Sequence, residues 1–281
     1  TDGWIRRVGM VKDLSKSRLR EGDSLLAALI GSTVNTIACF SNLGSAYTIR
    51  VGDIPPARSG YGDPAQKLFK FKDGERIIAA LSLDPRFYSA PPPSTKKMAR
   101  VLPLFDGTTV GGNAPVSLGQ VMAVSSAGMG VRFDLAPFKE PSTRLGRKFM
   151  KVRDGEEVVN VEAISLVSKT PIISVVSRKG RVLLCKAEEI GLLSGPGRGV
   201  TVIKLDSSDR LLASRLLYQK DDQLVALKQE GAKLSISIRK YQPVGRGGKG
   251  HTLFKRGNLK GVEAPPVELP ALDSENGKNS N

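Results

Sequence analysis

The 281-residue chain has one histidine, two cysteines and one tryptophan, and aromatic side chains make up only 5% of it. Each scarcity removes a class of function. A Ser-His-Asp triad would have to be built around His251, which sits in a basic, glycine-rich stretch, and a loop histidine facing solvent or phosphate is the simpler reading. With Cys39 and Cys185 far apart and a single histidine, no zinc-ligand spacing exists. The two cysteines lie in apolar β-like runs, "TIACF" and "VLLCK", and read as buried free thiols suited to a reducing cytoplasm. The few aromatics do not interleave with the cations, so stacking on single-stranded bases fits poorly. No apolar run approaches the ~18 residues of a membrane span, and no apolar signal core opens the chain. The chain also starts without methionine, which suggests a piece of a longer protein.

What is abundant is positive charge. Forty-three Lys and Arg against 27 Asp and Glu give a formal net charge of +16, which favours a polyanionic partner, nucleic acid before an anionic membrane. The segment after Val262 runs the other way, with Glu263, Glu268, Asp273 and Glu275 against Lys278. Residues 1–262 are therefore expected to form a basic body, and 263–281 an acidic, disordered tail.

Short apolar and β-branched runs dominate: "AYTIRV", "VMAVSS", "PIISVVS" and "KLSISI" alternate with turns, and helical periodicity is scarce. The stronger signal is repetition. Five segments place a tight turn at glycine before a strand, at Gly3, Gly44, Gly128, Gly180 and Gly231. The intervals are 41, 84, 52 and 51 residues, and the long one contains "RFYSAPPPSTKKMARVLPLFDGTTVGG", residues 86–112, a proline- and glycine-punctuated insertion. A repeat of about fifty residues with four strands cannot cover both faces of its sheet alone, so the repeats are expected to stack radially as about five four-stranded blades. Whether the ring is closed or broken depends on how residues 10–33 pair.

Downstream of each turn comes a glycine- and cation-bearing loop: "ARSGYGDPAQKLFKFKDGERI", "STRLGRKFMKVRDGEEV", "SGPGRGVTVIKLDSSDRL" and "VGRGGKGHTLFKRGNLKGV". Glycine lets backbone N–H groups approach an anion, and long cationic side chains add charge-assisted hydrogen bonds. Radial stacking would bring the loops to one rim, with Arg58, Lys67, Arg144, Arg147, Lys148, Arg198, Lys204, Arg246, Lys249, Lys255 and Arg256 forming a curved cationic track that neutralises phosphates and bends duplex DNA. The bland alternative is a solvated basic surface on a protein-interaction propeller. "GPGRG" at 195–199 lacks the G-x-G-x-x-G spacing and a following helix, so no nucleotide site is read there. Asp221–Asp222 and Glu188–Glu189 read as turn and surface acids, which leaves an enzyme reading without candidate groups. Trp4 reads as a packing residue.

"DGWIRRV", "IPPARSGYGDP" (54–64) and "VGRGGKG" resemble the C-terminal domain of the A subunit of bacterial type IIA topoisomerases, gyrase and topoisomerase IV, over almost the whole chain. The resemblance implies a β-pinwheel, in which neighbouring blades exchange a strand, and a rim that bends DNA. Gyrase members carry a Q-R-R-G-G-R-G box after the opening strand. Here "MVKDLSKSRLREGDSLLAAL", residues 10–29, keeps Lys12, Lys16, Arg18 and Arg20 as candidate DNA contacts but has no Gly-Gly pair, and "GRGGKG" stands in the last repeat instead. This departure favours topoisomerase IV, with gyrase-type wrapping as the alternative. By the same resemblance the fragment holds no catalytic residue, cofactor or metal. ATP, magnesium, the catalytic part of the A chain and the ATPase B chain, in an A2B2 enzyme of the bacterial cytoplasm and nucleoid, belong to the full assembly.

Overall fold

The computed structural model describes residues 1–9, 11, 13–57, 60–87, 118–165 and 171–268. Most of the 86–112 insertion, and tail residues 269–281, lie outside them. Among the described residues the chain is all-β, with single turns of 3-10 helix between strands.

The building unit is a hairpin whose turn needs a left-handed residue. In β2 (Thr36–Ser41) and β3 (Ser45–Arg50), the N–H of Gly44 donates to the carbonyl of Ser41 at 3.1 Å and Gly44 has φ +76°. The three-residue loop thus ends in one αL residue, which costs glycine nothing. Gly128, Gly180 and Gly231 close their turns the same way, at φ +77°, +77° and +88°.

After β3 the chain leaves its own blade. The two-residue β4 (Asp63–Pro64) pairs with β1 (Trp4–Ile5), and only then does β5 (Ile77–Ser82) return to pair with β2. The next unit repeats the route. From the hairpin β6 (Gln120–Ser125) and β7 (Met129–Asp134), β8 (Arg147–Lys148) crosses to β3, and β9 (Val158–Ile164) returns to β6. In the third, with hairpin β10 (Ile172–Ser177) and β11 (Arg181–Lys186), β12 (Leu192–Leu193) and β13 (Val200–Thr201) both reach β7 before β14 (Leu211–Leu217) returns to β10. In the fourth, with hairpin β15 (Gln223–Lys228) and β16 (Lys233–Ser237), β17 (His251–Thr252) crosses to β11 and β18 (Leu259–Val262) returns to β15.

Each crossing strand thus completes the sheet of the preceding blade, which is the pinwheel exchange. Among the described residues five sheets result, the first with two strands and the last with three, so the five turn glycines correspond to four hairpin blades and one small N-terminal sheet. Among the described residues, β16 receives no crossing strand.

The core lies between successive blades. Phe40 of the first blade packs with Phe133, Phe138 and Phe149 of the second, and Phe149 meets its ring edge-on at 5.2 Å. Ile173 and Val175 pack with Met122 and Val124, and Leu224 and Ala226 with Val176 and Leu184. Central strands are therefore covered on both faces, which is why β2 is buried at every position and reads as a continuous apolar run. Full burial of one such phenylalanine contributes about 3 kcal/mol. Cys39 and Cys185 are buried, unpaired members of these layers.

The recurring acidic turns are structural. The Ser41 hydroxyl accepts from the N–H of Ser45 at 3.1 Å and donates to Glu75 at 2.6 Å. The Ser177 hydroxyl likewise accepts from Arg181 and donates to Asp209 at 2.6 Å, and Asp209 also accepts the N–H groups of Lys179 and Arg210. A buried carboxylate thereby closes the first and the third hairpin onto the returning strand. Glu263 also belongs to the fold rather than to a free tail: its N–H donates to Val225 at 2.8 Å and its carboxylate pairs with Lys233 at 3.1 Å.

Candidate nucleic-acid interface

The four glycine- and cation-bearing loops are the segments that carry the crossing strands. Gly62, Gly146, Gly199 and Gly250 each stand just before one, with φ between +65° and +90°. A Cβ at these positions would lie 2.3, 2.8, 2.0 and 2.1 Å from the carbonyl oxygens of Ile5, Ala46, Gly130 and Val182 on the receiving strands. Close approach of two backbones, together with positive φ, fixes glycine here. These glycines act first as joints of the fold.

Three residues beyond each such glycine, the N–H of Ala65, Phe149, Val202 or Leu253 donates to the carbonyl of a turn glycine in the preceding blade, Gly3, Gly44, Gly128 or Gly180, at 2.8 to 3.0 Å. Consecutive loops also hold one another. The N–H groups of Lys70, Lys151 and Lys204 donate to the carbonyls of Arg144, Gly197 and Gly248 in the next loop, at 2.8, 2.9 and 2.8 Å. The loops therefore form one backbone-stitched strip that runs from blade to blade along the pinwheel.

The cations on this strip differ in how they are held. Arg144 donates to the carbonyl of Lys67 at 3.1 Å, and Arg198 pairs with Glu156 at 3.7 Å. Arg246 donates to the carbonyls of Glu189 and Thr201, at 2.9 and 3.4 Å. Arg147 donates to the carbonyl of Pro137 and Lys148 to that of Leu43, both at 2.6 Å. Burial, followed by the repulsion of Lys72, pulls the Lys148 ammonium below its ordinary range. Lys67 pairs with Asp63 at 2.6 Å. Lys204, Lys249, Lys255 and Arg256 are exposed and make no side-chain hydrogen bond or ion pair among the described residues.

At the N-terminal end, Lys16 stands 3.9 Å from Asp13, Arg20 lies over the Trp4 ring at 4.8 Å, and Arg18 is exposed. Lys12 and Arg58 lie outside the described residues. His251 sits in the crossing strand β17 opposite Val182, exposed and 5.6 Å from the Tyr241 ring, so it is part of a strand rather than of a loop. Glu189 is more than a surface acid, because its carboxylate accepts the N–H groups of Lys186 and Arg246.

Lys70 and Lys151, both exposed on the strip, escape a reading by loop composition alone. Lys151 lies five residues after Gly146, as Lys67, Lys204 and Lys255 lie five after Gly62, Gly199 and Gly250, and it too is exposed. Aligning the loops on the glycine before the crossing strand would have found it.

Comparison with known proteins agrees with this geometry. Residues 35–84, 119–165 and 172–216 match the family described as DNA gyrase C-terminal domain, beta-propeller. The DNA gyrase A chain of Salmonella typhimurium is 26% identical over 294 residues, covering 95% of this chain and 33% of that protein. Its Escherichia coli counterpart is 24% identical over 263 residues, covering 93% of this chain and 26% of its own length. The chain thus spans about a third or less of these relatives. Among solved structures, a C-terminal domain of DNA topoisomerase IV superposes with a TM-score of 0.72 at 17% identity, covering 94% of this chain and 75% of that one. The E. coli ParC C-terminal domain gives 0.66 at 18%, covering 94% and 95%, and a DNA gyrase A C-terminal domain gives 0.55 at 18%, covering 94% and 76%. With half of its residues under the family match and its blades joined by exchanged strands, the chain belongs to the DNA gyrase C-terminal domain family, the β-pinwheel of type IIA topoisomerase A subunits.

Proposed function

We propose that this domain binds and bends duplex DNA on its strip of crossing loops, without catalytic residues of its own, and so presents duplex segments to a type IIA topoisomerase for ATP-dependent strand passage. The observation that carries the reading is the stitched strip itself. Backbone hydrogen bonds between consecutive loops hold exposed cations in a fixed series, one group per blade, so phosphates can be met without ordering a flexible surface first. A duplex that follows such a series must curve with it.

Within the family we favour the topoisomerase IV type, which serves decatenation and relaxation. Support comes from residues 10–29, which lack a Gly-Gly pair, and from the closer superposition on topoisomerase IV domains than on the gyrase domain. The second reading, gyrase-type wrapping for negative supercoiling, has its support in the sequence relatives, which are gyrase A chains. In either case the remainder of the A chain, the B chain in an A2B2 enzyme, ATP and magnesium would supply the chemistry in the bacterial cytoplasm.

Binding of the chain to a duplex of about 40 base pairs across a salt series, with end-to-end energy transfer in the same samples, tests the proposal. A log–log slope of about −5 or steeper, corresponding to about six phosphates, with shortened ends is the expected result. A shallow slope with straight DNA would instead make the strip a solvated surface of a protein-interaction propeller. Decatenation and supercoiling assays on the reconstituted enzyme then separate the topoisomerase IV type from the gyrase type.

A further inference from the structure

Two sets among the cations of the strip recur by position and have different partners, while Arg147, Lys148, Lys249 and Arg256 belong to neither. Before the joint glycine stand Arg144, Arg198 and Arg246, and each reaches back to the chain of the preceding crossing loop: to the Lys67 carbonyl, the Glu156 carboxylate and the Thr201 carbonyl. Arg246 adds the Glu189 carbonyl at 2.9 Å, so its planar fork spans two backbone acceptors. Five residues after the glycine stand Lys151, Lys204 and Lys255, which are exposed and make no side-chain hydrogen bond or ion pair among the described residues. The backbone N–H groups of Lys151 and Lys204 are nevertheless fixed to the next loop, at Gly197 and Gly248. Their Cα positions are therefore set at the joints between loops while their ammonium groups stay available.

Granting that the strip takes duplex DNA, as proposed above, we infer that its cations divide the work: the arginines before the joint glycine fasten each loop to the one before it, and the lysines five residues after it carry the phosphates. Chemistry favours this division. A guanidinium spends its directional donors on carbonyls, whereas an ammonium on a flexible stem is a point charge that follows a phosphate as the duplex bends. Lys67, already paired with Asp63, is the muted member of the lysine series.

The test uses the whole 281-residue chain, a duplex of about 40 base pairs, a salt series and thermal unfolding. The Lys151→Gln, Lys204→Gln, Lys255→Gln triple variant is expected to flatten the log–log salt slope by about 2.7, about 0.9 for each lost contact, with its unfolding midpoint unchanged. The Arg144→Gln, Arg246→Gln double variant is expected to unfold at lower temperature and, in the folded state, to keep the parent's slope, where loss of two phosphate contacts would flatten it by about 1.8. Arg246→Lys guards against a variant that fails to fold: it keeps the charge, so the slope should hold while the midpoint drops. A slope carried by the arginines, or shared equally between the two sets, or untouched by either, overturns the division. A parent chain with no steep slope at all removes the DNA reading itself, and the division with it.

Discussion

The N–H of Lys151 donates to the carbonyl of Gly197 at 2.9 Å, joining the loop that completes one blade to the loop that completes the next. Lys204 and Gly248 repeat the bond one blade later at 2.8 Å. Because β8 and β13 are themselves lent to preceding blades, every such bond links chain segments belonging to different sheets. Loop position and blade packing are therefore one cooperative property. A lesion at a crossing joint should be felt both as lost stability and as a displaced surface.

Gly250→Ala isolates the joint. The added methyl would stand 2.1 Å from the Val182 carbonyl oxygen and 3.1 Å from Leu183 Cβ, at φ +65°. Gly231→Ala meets nothing within 4 Å at φ +88° and so carries the left-handed strain alone, about 1–2 kcal/mol. Chemical denaturation should show Gly231→Ala losing about that much and Gly250→Ala considerably more, with β17 released from β11. Equal losses would mean that the crossing strand yields without cost.

The carboxylate of Asp209 accepts from the Ser177 hydroxyl and from the N–H groups of Lys179 and Arg210. Asp209→Ala leaves those donors without their acceptor in a buried turn, and a loss of about 2–4 kcal/mol is expected. DNA affinity of the folded fraction should stay near that of the parent, since Asp209 bonds the hairpin turn at Ser177 and Lys179 and no crossing strand. A drop in affinity without a drop in stability would reassign this acid to the binding surface.

Five turn glycines and four cationic loops stand out in the sequence because left-handed turns and close backbone approaches accept few residues other than glycine. The exchange of strands has no such signature. A two-residue strand such as Arg147–Lys148 carries no periodicity, so "RKFMKV" reads only as part of a cationic loop, and Lys151 is hidden within it. The split between Arg246 and Lys255 is invisible for another reason: the partners of the arginine are backbone carbonyls, at Glu189 and Thr201, which composition does not distinguish. The pinwheel is legible only through likeness to a family, whereas the radial stack follows from the period.

Burial pushes the thiols of Cys39 and Cys185 up to about 12, through desolvation above all. Both should resist a thiol reagent at pH 8 in the native protein and react with it together on unfolding. A single fast-reacting cysteine in native conditions would mean that its blade opens locally, and hydrogen exchange on β2 or β11 would identify which.

Glu162 on β9 accepts from the N–H of Leu216 on β14 at 3.0 Å, bridging the outer strands of the second and third blades. Burial pushes its carboxyl up to about 7, against smaller opposing effects from that hydrogen bond and from Arg215. The folded state then holds a proton that the unfolded chain, titrating near 4.5, has already released. Its contribution to stability is complete below about pH 4.5 and falls as pH rises through about 7, by on the order of 3 kcal/mol. Glu162→Gln keeps the acceptor and removes the titration, so the stability difference between variant and parent should widen from pH 5 to pH 8. A difference independent of pH would show that Glu162 is ionised throughout and that Arg215 outweighs its burial.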